Sequence, residues 1–370
     1  MSDALLYELK VIMQRDVNNR GLGTVPENNL LTACQEDFAA ACHSLATTTP
    51  LNVGIITGFW IPSAGAAETD GPFGALFLAR VLHELGADVT LLAEEWCADA
   101  LRVGLKEVGL EEEIAVGFPH TQGKRPPFPE SEKYIPYVGA KGPVRLPLPP
   151  AGMLPPESAR KTTGKSASVL YMPGYNHLTH LIAIERAGPS HTQESFLAQA
   201  RPRPAPVETF ARVPAEHYDQ CHTMRGQIIA EQMVPVSQLF EAIRNQAVTI
   251  GIGDGGNEIG MGKIPWEVIA TNVPNGAITA CRVATDYNLV CGVSNWGAYA
   301  LGAGVWHLTG KSLPVHLFNV ERERIIGEKI ISSVKLVDGV TGQRTLSVDG
   351  LPWDVYSQPI AEMFSLVAAG

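Results

Sequence analysis

A strand, a helix and a second strand follow one another between residues 53 and 93, and this succession constrains the fold more than any other feature. Val53-Gly54-Ile55-Ile56-Thr57 is a short apolar run without polar alternation, as expected of a strand buried on both faces. Pro72 opens a helix through Leu85, Gly86 ends it, and Asp88-Val89-Thr90-Leu91-Leu92-Ala93 forms the next strand. Two strands joined by a crossover helix run parallel, which requires helices over the sheet faces. Further strands are expected at 168–172, 181–184, 247–252, 277–283 and 289–293, and helices at 4–14, 29–45, 236–245 and 297–308. The expected fold class is therefore α/β: a mostly parallel, three-layer, Rossmann-like sheet flanked by helices.

Residues 1–50 read as an N-terminal helical segment packed on the core, and residues 51–370 as one α/β domain. Residues 119–166 interrupt that domain with a Pro-rich, locally basic insertion, either a solvated excursion or a lid or docking arm for an acidic partner. The stretch 201–206 has the same two readings. Asp338-Gly339 and Asp349-Gly350 mark a C-terminal hairpin region.

Charge narrows the function classes. The 370 residues carry 28 Lys+Arg against 38 Asp+Glu, a net charge of −10, which excludes a generally basic nucleic-acid surface. No apolar run approaches the ~20 residues of a membrane span, and the N-terminus lacks the pattern of a secretory signal. The six cysteines show no metal-ligand spacing and read as buried thiols of a reducing compartment. A soluble cytoplasmic protein is expected; a mitochondrial matrix location would need a targeting segment that the sequence does not display. No nucleic-acid or membrane partner is expected, and oligomeric state is left open.

The 36 glycines concentrate where strands end. Gly251-Ile252-Gly253-Asp254-Gly255-Gly256-Asn257-Glu258-Ile259-Gly260-Met261-Gly262 formally contains the dinucleotide pattern G-x-G-x-x-G. Two carboxylates beside a pyrophosphate would cost on the order of 4 kcal/mol at about 4 Å and an effective dielectric near 20. The loop better suits a cation, either a metal or a substrate ammonium, with Asp254, Asn257 and Glu258 as oxygen donors; a turn whose acids cap the next element is the alternative.

The connection from Gly58 to Gly71 is long for a strand-to-helix loop and carries Glu68 and Asp70, with Asp70 read chiefly as a helix cap. Ile184-Glu185-Arg186-Ala187-Gly188 offers either a guanidinium for a ligand carboxylate or an internal Glu185/Arg186 salt bridge. Ser294 and Asn295 stand where a helix N-terminus would face the site, as donors or as simple caps. His177 and His180 read as a polar pair in a loop. No nucleophile elbow, Walker lysine or H-E-x-x-H motif is present.

Taken together, Thr57-Gly58-Phe59, Ala67-Glu68-Thr69-Asp70-Gly71-Pro72, the Glu185-Arg186 segment, the glycine block and Gly292-Val293-Ser294-Asn295-Trp296-Gly297 resemble the D-glutamate cyclase family. Asp16 to Gly21 and the late Asp338 and Asp349 segments extend the likeness over most of the chain. The resemblance implies a hydro-lyase that converts D-glutamate to 5-oxo-D-proline and water. It also implies that animal members carry a hydro-lyase-like region ahead of this domain, so activity of this half alone is an expectation.

On that resemblance, Glu68 or Asp70 takes the ammonium proton, and Asp254 and Glu258 share a proton or hold a divalent cation. Arg186 grips the α-carboxylate, and Ser294 and Asn295 receive the developing oxyanion. Thr57, Gly58 and Asn257 complete the expected substrate site. The cofactor is undetermined; Mg²⁺ or Mn²⁺ held by Asp254, Asn257 and Glu258 is one option. A metal- or phosphate-dependent enzyme on another small acidic metabolite and a non-catalytic amino-acid sensor are the alternatives.

Overall fold

Runs of β-branched residues bury both faces only if something covers each face, and the chain supplies two cores for one sheet. The computed structural model describes residues 2–110, 178–244 and 246–369, with short strands at 115–118, 137–139 and 142–144. In chain order the strands are β1 (Asn52–Thr57), β2 (Trp60–Ile61), β3 (Ala66–Glu68), β4 (Asp88–Glu94), β5 (Ala115–Phe118), β6 (Tyr137–Gly139), β7 (Gly142–Val144), β8 (His180–Ile184), β9 (Val248–Gly253), β10 (Tyr287–Val290), β11 (Leu336–Val337), β12 (Ser347–Val348) and β13 (Leu351–Pro352). The longer helices are α1 (Ser2–Met13), α2 (Asp37–Thr47), α3 (Pro72–Glu84), α4 (Glu95–Glu107), α5 (Ser294–Leu308), α6 (Val320–Ser333) and α7 (Trp353–Ala369).

The main sheet has the order β10-β9-β8-β1-β4-β5-β6-β7. Every pair from β10 to β5 is parallel, and β6 and β7 are added antiparallel. Ile55, Leu91, Ile182 and Ile252 face one core with α1, α3, α5 and α7, while Ile56, Leu92, Leu181 and Ala183 face a second core built from residues 196–283. Strand order reverses between β1 and β8. Loops leaving those two strands diverge there and open the crevice in which such sheets hold ligands.

The three-layer parallel architecture is thus the one expected. Some elements differ. Residues 277–283 form no strand: Asn275 adopts φ 59°, a short helix runs Gly276–Thr279, and Cys281 meets Ser190 in an isolated bridge. The helix expected over 29–45 is two, because Asn29 caps a single turn at Leu30–Ala33 before α2 begins. The hairpin is β12–β13, with Asp349 (φ 56°) and Gly350 (φ 78°) in the two left-handed positions of its turn. Asp338-Gly339 instead starts a loop in which Gly342 N–H donates to Asp338 O. The strand expected at 168–172, His177, and the 119–166 insertion apart from β6 and β7 lie outside the described residues. His180 is buried in β8, where its Nε2 meets Ser44 Oγ at 3.0 Å.

The N-terminal segment is fastened to the sheet at Gly292, just after β10, whose N–H donates to Met13 O at 2.8 Å. A Cβ at Gly292 would collide with the Arg15 carbonyl. Gly292→Ala is therefore expected to cost about 1–3 kcal/mol by forcing the two backbones apart. Gly23→Ala, which would meet only Leu31 Cδ1 at 3.4 Å, should stay within about 0.5 kcal/mol of wild type. Urea unfolding of the two variants checks this.

Candidate functional site

Two helix N-termini face each other at the reversal point, and each is capped by a side chain from the other. Asp70 Oδ2 and Oδ1 accept from the N–H groups of Ser294 (2.9 Å) and Asn295 (2.8 Å) at the start of α5. Asn295 Oδ1 in turn accepts from Gly71 (2.9 Å) and Gly74 (2.7 Å) at the start of α3. The close approach depends on Gly74, where a Cβ would lie 2.8 Å from Ala298 Cβ. Gly71 takes φ 94°, and a Cβ there would strike Thr57 Oγ1.

Other strand ends add carboxyls to this brace. Glu185, at the end of β8, is held in the left-handed region at φ 45°, where Ser294 Oγ donates to its Oε2 at 2.6 Å. Asp254 follows β9. Asp70, Glu185 and Asp254 each present an oxygen, and these oxygens all lie within 4.8 Å of one another. Glu68 ends β3, which pairs with β11, so its carboxyl lies against Gly339, whose added Cβ would strike Oε2. Asp349 enters from the β12–β13 turn, which Asp338 fastens by accepting from Gly350 N at 2.8 Å.

Among the described residues, one guanidinium answers these acids. Arg20 Nη1 lies 3.1 Å from Asp254 Oδ1, and Nη2 lies 2.6 Å from Asp349 Oδ2. Its loop is preformed by Asp16, whose carboxylate accepts from the N–H groups of Arg20, Gly21 and Leu22. Asn18 Nδ2 donates to Asp349 O, tying the same loop to the C-terminal turn.

The acids are buried, and burial dominates their protonation. Asp70 is pushed up to about 8 by desolvation and the Asp349 charge, against the opposing pull of the two helix amides and Arg20. Desolvation likewise raises Glu68, with Asp349 and Asp70 adding to it, and Glu185, with Glu258 and Asp70 adding to it. Asp254 is raised by desolvation although Arg20 opposes it, and Glu258 is raised by desolvation against the backbone amides it accepts from. Asp70, at about 8, therefore keeps its proton at neutral pH and can donate as well as accept one, and burial shifts its neighbours in the same direction.

Several expected roles change in the light of this geometry. Arg186 does not face the site: it is fully buried and makes a two-pronged pair with Glu94 (2.5 and 2.6 Å). Its remaining contacts are the carbonyls of Gly58 and Val234, so the internal salt bridge is real but its acid is Glu94 rather than Glu185. The backbone amides of Ser294 and Asn295 already serve Asp70, and cannot receive an oxyanion while that cap holds.

The loop set Asp254, Asn257 and Glu258 is also divided. Glu258 Oε1 accepts from the N–H groups of Gly255 (2.7 Å) and Asp254 (3.3 Å), and Asn257 Nδ2 donates to His222 O. Asp254 is the member that joins the metal-compatible cluster, with Asp70 and Glu185 in place of the other two. Thr57 Oγ1 is buried and unpaired, and Gly58 takes φ 109° against Cys97. Arg20, Glu185 and Asp349 were not selected as site residues from the sequence. Their signals were the D-V-N-N-R-G segment, the acid beside Arg186 and the second Asp-Gly pair.

The family model for the C-terminal domain of D-glutamate cyclase-like proteins matches residues 9–201 and 209–364. The chain belongs to this family. It is also 26% identical to the human protein named D-glutamate cyclase, mitochondrial, over 98% of this chain. That match covers 52% of the human protein, so the chain spans about half the length of this relative. Every segment of the acidic site lies within the matched residues. Among the described residues no helix is long and apolar enough to cross a membrane.

Two outcomes follow for stability. Glu94→Gln leaves a buried guanidinium with a neutral partner and should cost about 3–5 kcal/mol in urea unfolding. The raised acids set the second. Folded Asp70 keeps its proton up to about pH 8, whereas the unfolded chain releases it near pH 4. Between those values the folded state binds more protons, so stability falls as pH rises. Melting temperature measured from pH 5 to 9 should decline, and Glu68→Gln, which removes one such acid, should make the decline shallower.

Proposed function

We propose that this domain cyclises D-glutamate to 5-oxo-D-proline, releasing water. The observation that carries the reading is the convergence of Asp70, Glu185 and Asp254 at the strand-order reversal of a chain in this family. The finer assignment of substrate and stereochemistry rests on the name of a relative twice this length.

The reaction joins the α-amine nitrogen to Cδ of the same molecule and breaks one Cδ–O bond. Net, an ammonium and a carboxylate become an amide N–H and water, so nitrogen gives up two protons and the departing oxygen gains two. Holding the substrate folded in the attacking geometry supplies much of the acceleration, because nucleophile and electrophile are already tethered. The protons need groups that both give and take near neutral pH. Asp70, poised at about 8, and its raised neighbour Glu68 suit that exchange. One protonated acid supplies a proton to the departing oxygen and, once ionised, accepts one from the nitrogen. Thr57 Oγ1, buried and unpaired, is a further donor at the same place.

The donor chemistry also fits a hard divalent cation. Asp70, Glu185 and Asp254 offer carboxylate oxygens at compatible spacing, and Asp254 Oδ2 is buried without a partner while its Oδ1 faces Arg20. Such a cation, when bound, would polarise the γ-carboxyl.

Purified protein incubated with D- and L-glutamate, followed by chiral chromatography of 5-oxoproline, tests the reading. Product from the D enantiomer is expected, and parallel reactions with Mg²⁺, Mn²⁺ or EDTA decide the cation's part. Absence of product from both enantiomers under all three conditions overturns it.

A further inference from the structure

The acidic site raises a problem of charge that its own residues resolve. Glu68, Asp70, Glu185, Asp254, Glu258 and Asp349 are all buried there, and glutamate would add two more carboxyl groups. Arg186 is enclosed and held by Glu94, and Lys263 turns away to Asp37 and the Asp286 carbonyl. Among the described residues the basic side chain ion-paired with this cluster is Arg20, and its side chain keeps 13% exposure. It is thus both inside the cluster and reachable.

Arg20 is also incompletely matched. A guanidinium has five N–H donors. Two nitrogens face Asp254 and Asp349, Nη1 additionally meets the thioether of Met224 at 2.9 Å, and Nε is buried without a partner. A thioether is a weak acceptor that a carboxylate oxygen readily replaces. The loop bearing Arg20 is fixed beforehand by Asp16, by Asn18 on Asp349 and by Gly292, so the group is presented rather than left to find its place.

We infer that Arg20 is the specificity-determining residue that binds the substrate's non-reacting α-carboxylate. This deepens the cyclase reading and rests on it. Of the two substrate carboxyls, only the α-group stays anionic from start to finish, and a guanidinium is the side chain that stays cationic throughout. The reacting γ-carboxyl then falls to the cluster of acids at the strand ends. Recognition of the α-carboxylate therefore comes from the N-terminal segment, while the proton-transferring groups come from the sheet.

D-Isoglutamine, in which the α-carboxylate is an uncharged amide and the γ-carboxyl is unchanged, reports the contact directly. Wild type should favour D-glutamate over D-isoglutamine in kcat/KM by about 10- to 100-fold, the range for a hydrogen-bonded charge. Arg20→Gln should bring that ratio near one, chiefly through KM for D-glutamate. A merely structural role would lower both substrates together, and an unchanged ratio overturns the proposal. Arg20→Lys keeps the charge without the fork and decides the matter if Arg20→Gln fails to fold; its ratio should fall severalfold, and a wild-type ratio refutes the assignment. If wild type turns over neither compound, the cyclase reading fails on its own. Titration calorimetry with D-glutamate then judges Arg20: binding weakened at least tenfold in the variant supports it, and unaltered or absent wild-type binding rejects it.

Discussion

The reciprocal capping of α3 and α5 by Asn295 and Asp70 is the interaction on which the site depends. Each helix start has amide donors without partners of their own, and here each set is satisfied by a side chain belonging to the opposite helix. Neither helix can shift without stranding the other's amides. Because α3 follows β1 by way of the long loop and α5 follows β10, the brace ties together strands on opposite sides of the order reversal. Gly74 and Gly71 are the steric conditions for it, one allowing the helices to approach and the other the turn that presents Asp70.

A fixed carboxyl at that point has consequences for its neighbours. Ser294 contributes its amide to Asp70 and its hydroxyl to Glu185, so one residue sets the spacing of two acids. The positive φ of Glu185 is tolerable because this contact, together with its N–H on Ile252 O, holds the residue from both ends. Glu258 stabilises the glycine loop from within, which leaves Asp254 free to face Arg20. Glu258 shapes the glycine loop through the amides it accepts, whereas Asp70 both braces the two helix starts and carries a raised carboxyl of the site.

The architecture was legible in the sequence because a doubly covered parallel strand carries a local signature, a largely apolar run without polar alternation, and β1, β4, β8 and β9 each show it. The glycine loop and Asp70 were legible for a related reason, since both lie where such strands end. What escaped depended on partners distant in sequence. Arg186 looked like a ligand-binding guanidinium because nothing nearby reveals Glu94, 92 residues earlier, as its partner. Asp70 reads as a cap for its own helix and does accept from Gly71 N at 3.0 Å, but only the fold shows that it also caps one beginning 224 residues later. Arg20 sits in a polar turn whose position over the sheet follows from a backbone contact at Gly292, a relation no periodicity encodes.

The net charge of −10 takes on a local meaning from this arrangement. At an effective dielectric near 20, two carboxylates about 4 Å apart repel by roughly 4 kcal/mol, so full ionisation of the cluster would strain the brace that positions it. The proton kept by Asp70, with the upward shift of its neighbours, and the guanidinium of Arg20 relieve that repulsion by different routes. Protonation leaves groups that can exchange protons; the guanidinium leaves a permanent positive charge at one edge. On the proposed cyclase reading, an amino acid with two carboxyls and one ammonium has need of both, the acids for the end that reacts and the cation for the end that does not. On that same reading, the asymmetry of the site, acids from the sheet on one side and Arg20 from the N-terminal segment on the other, gives a folded substrate a single favourable direction in which to lie.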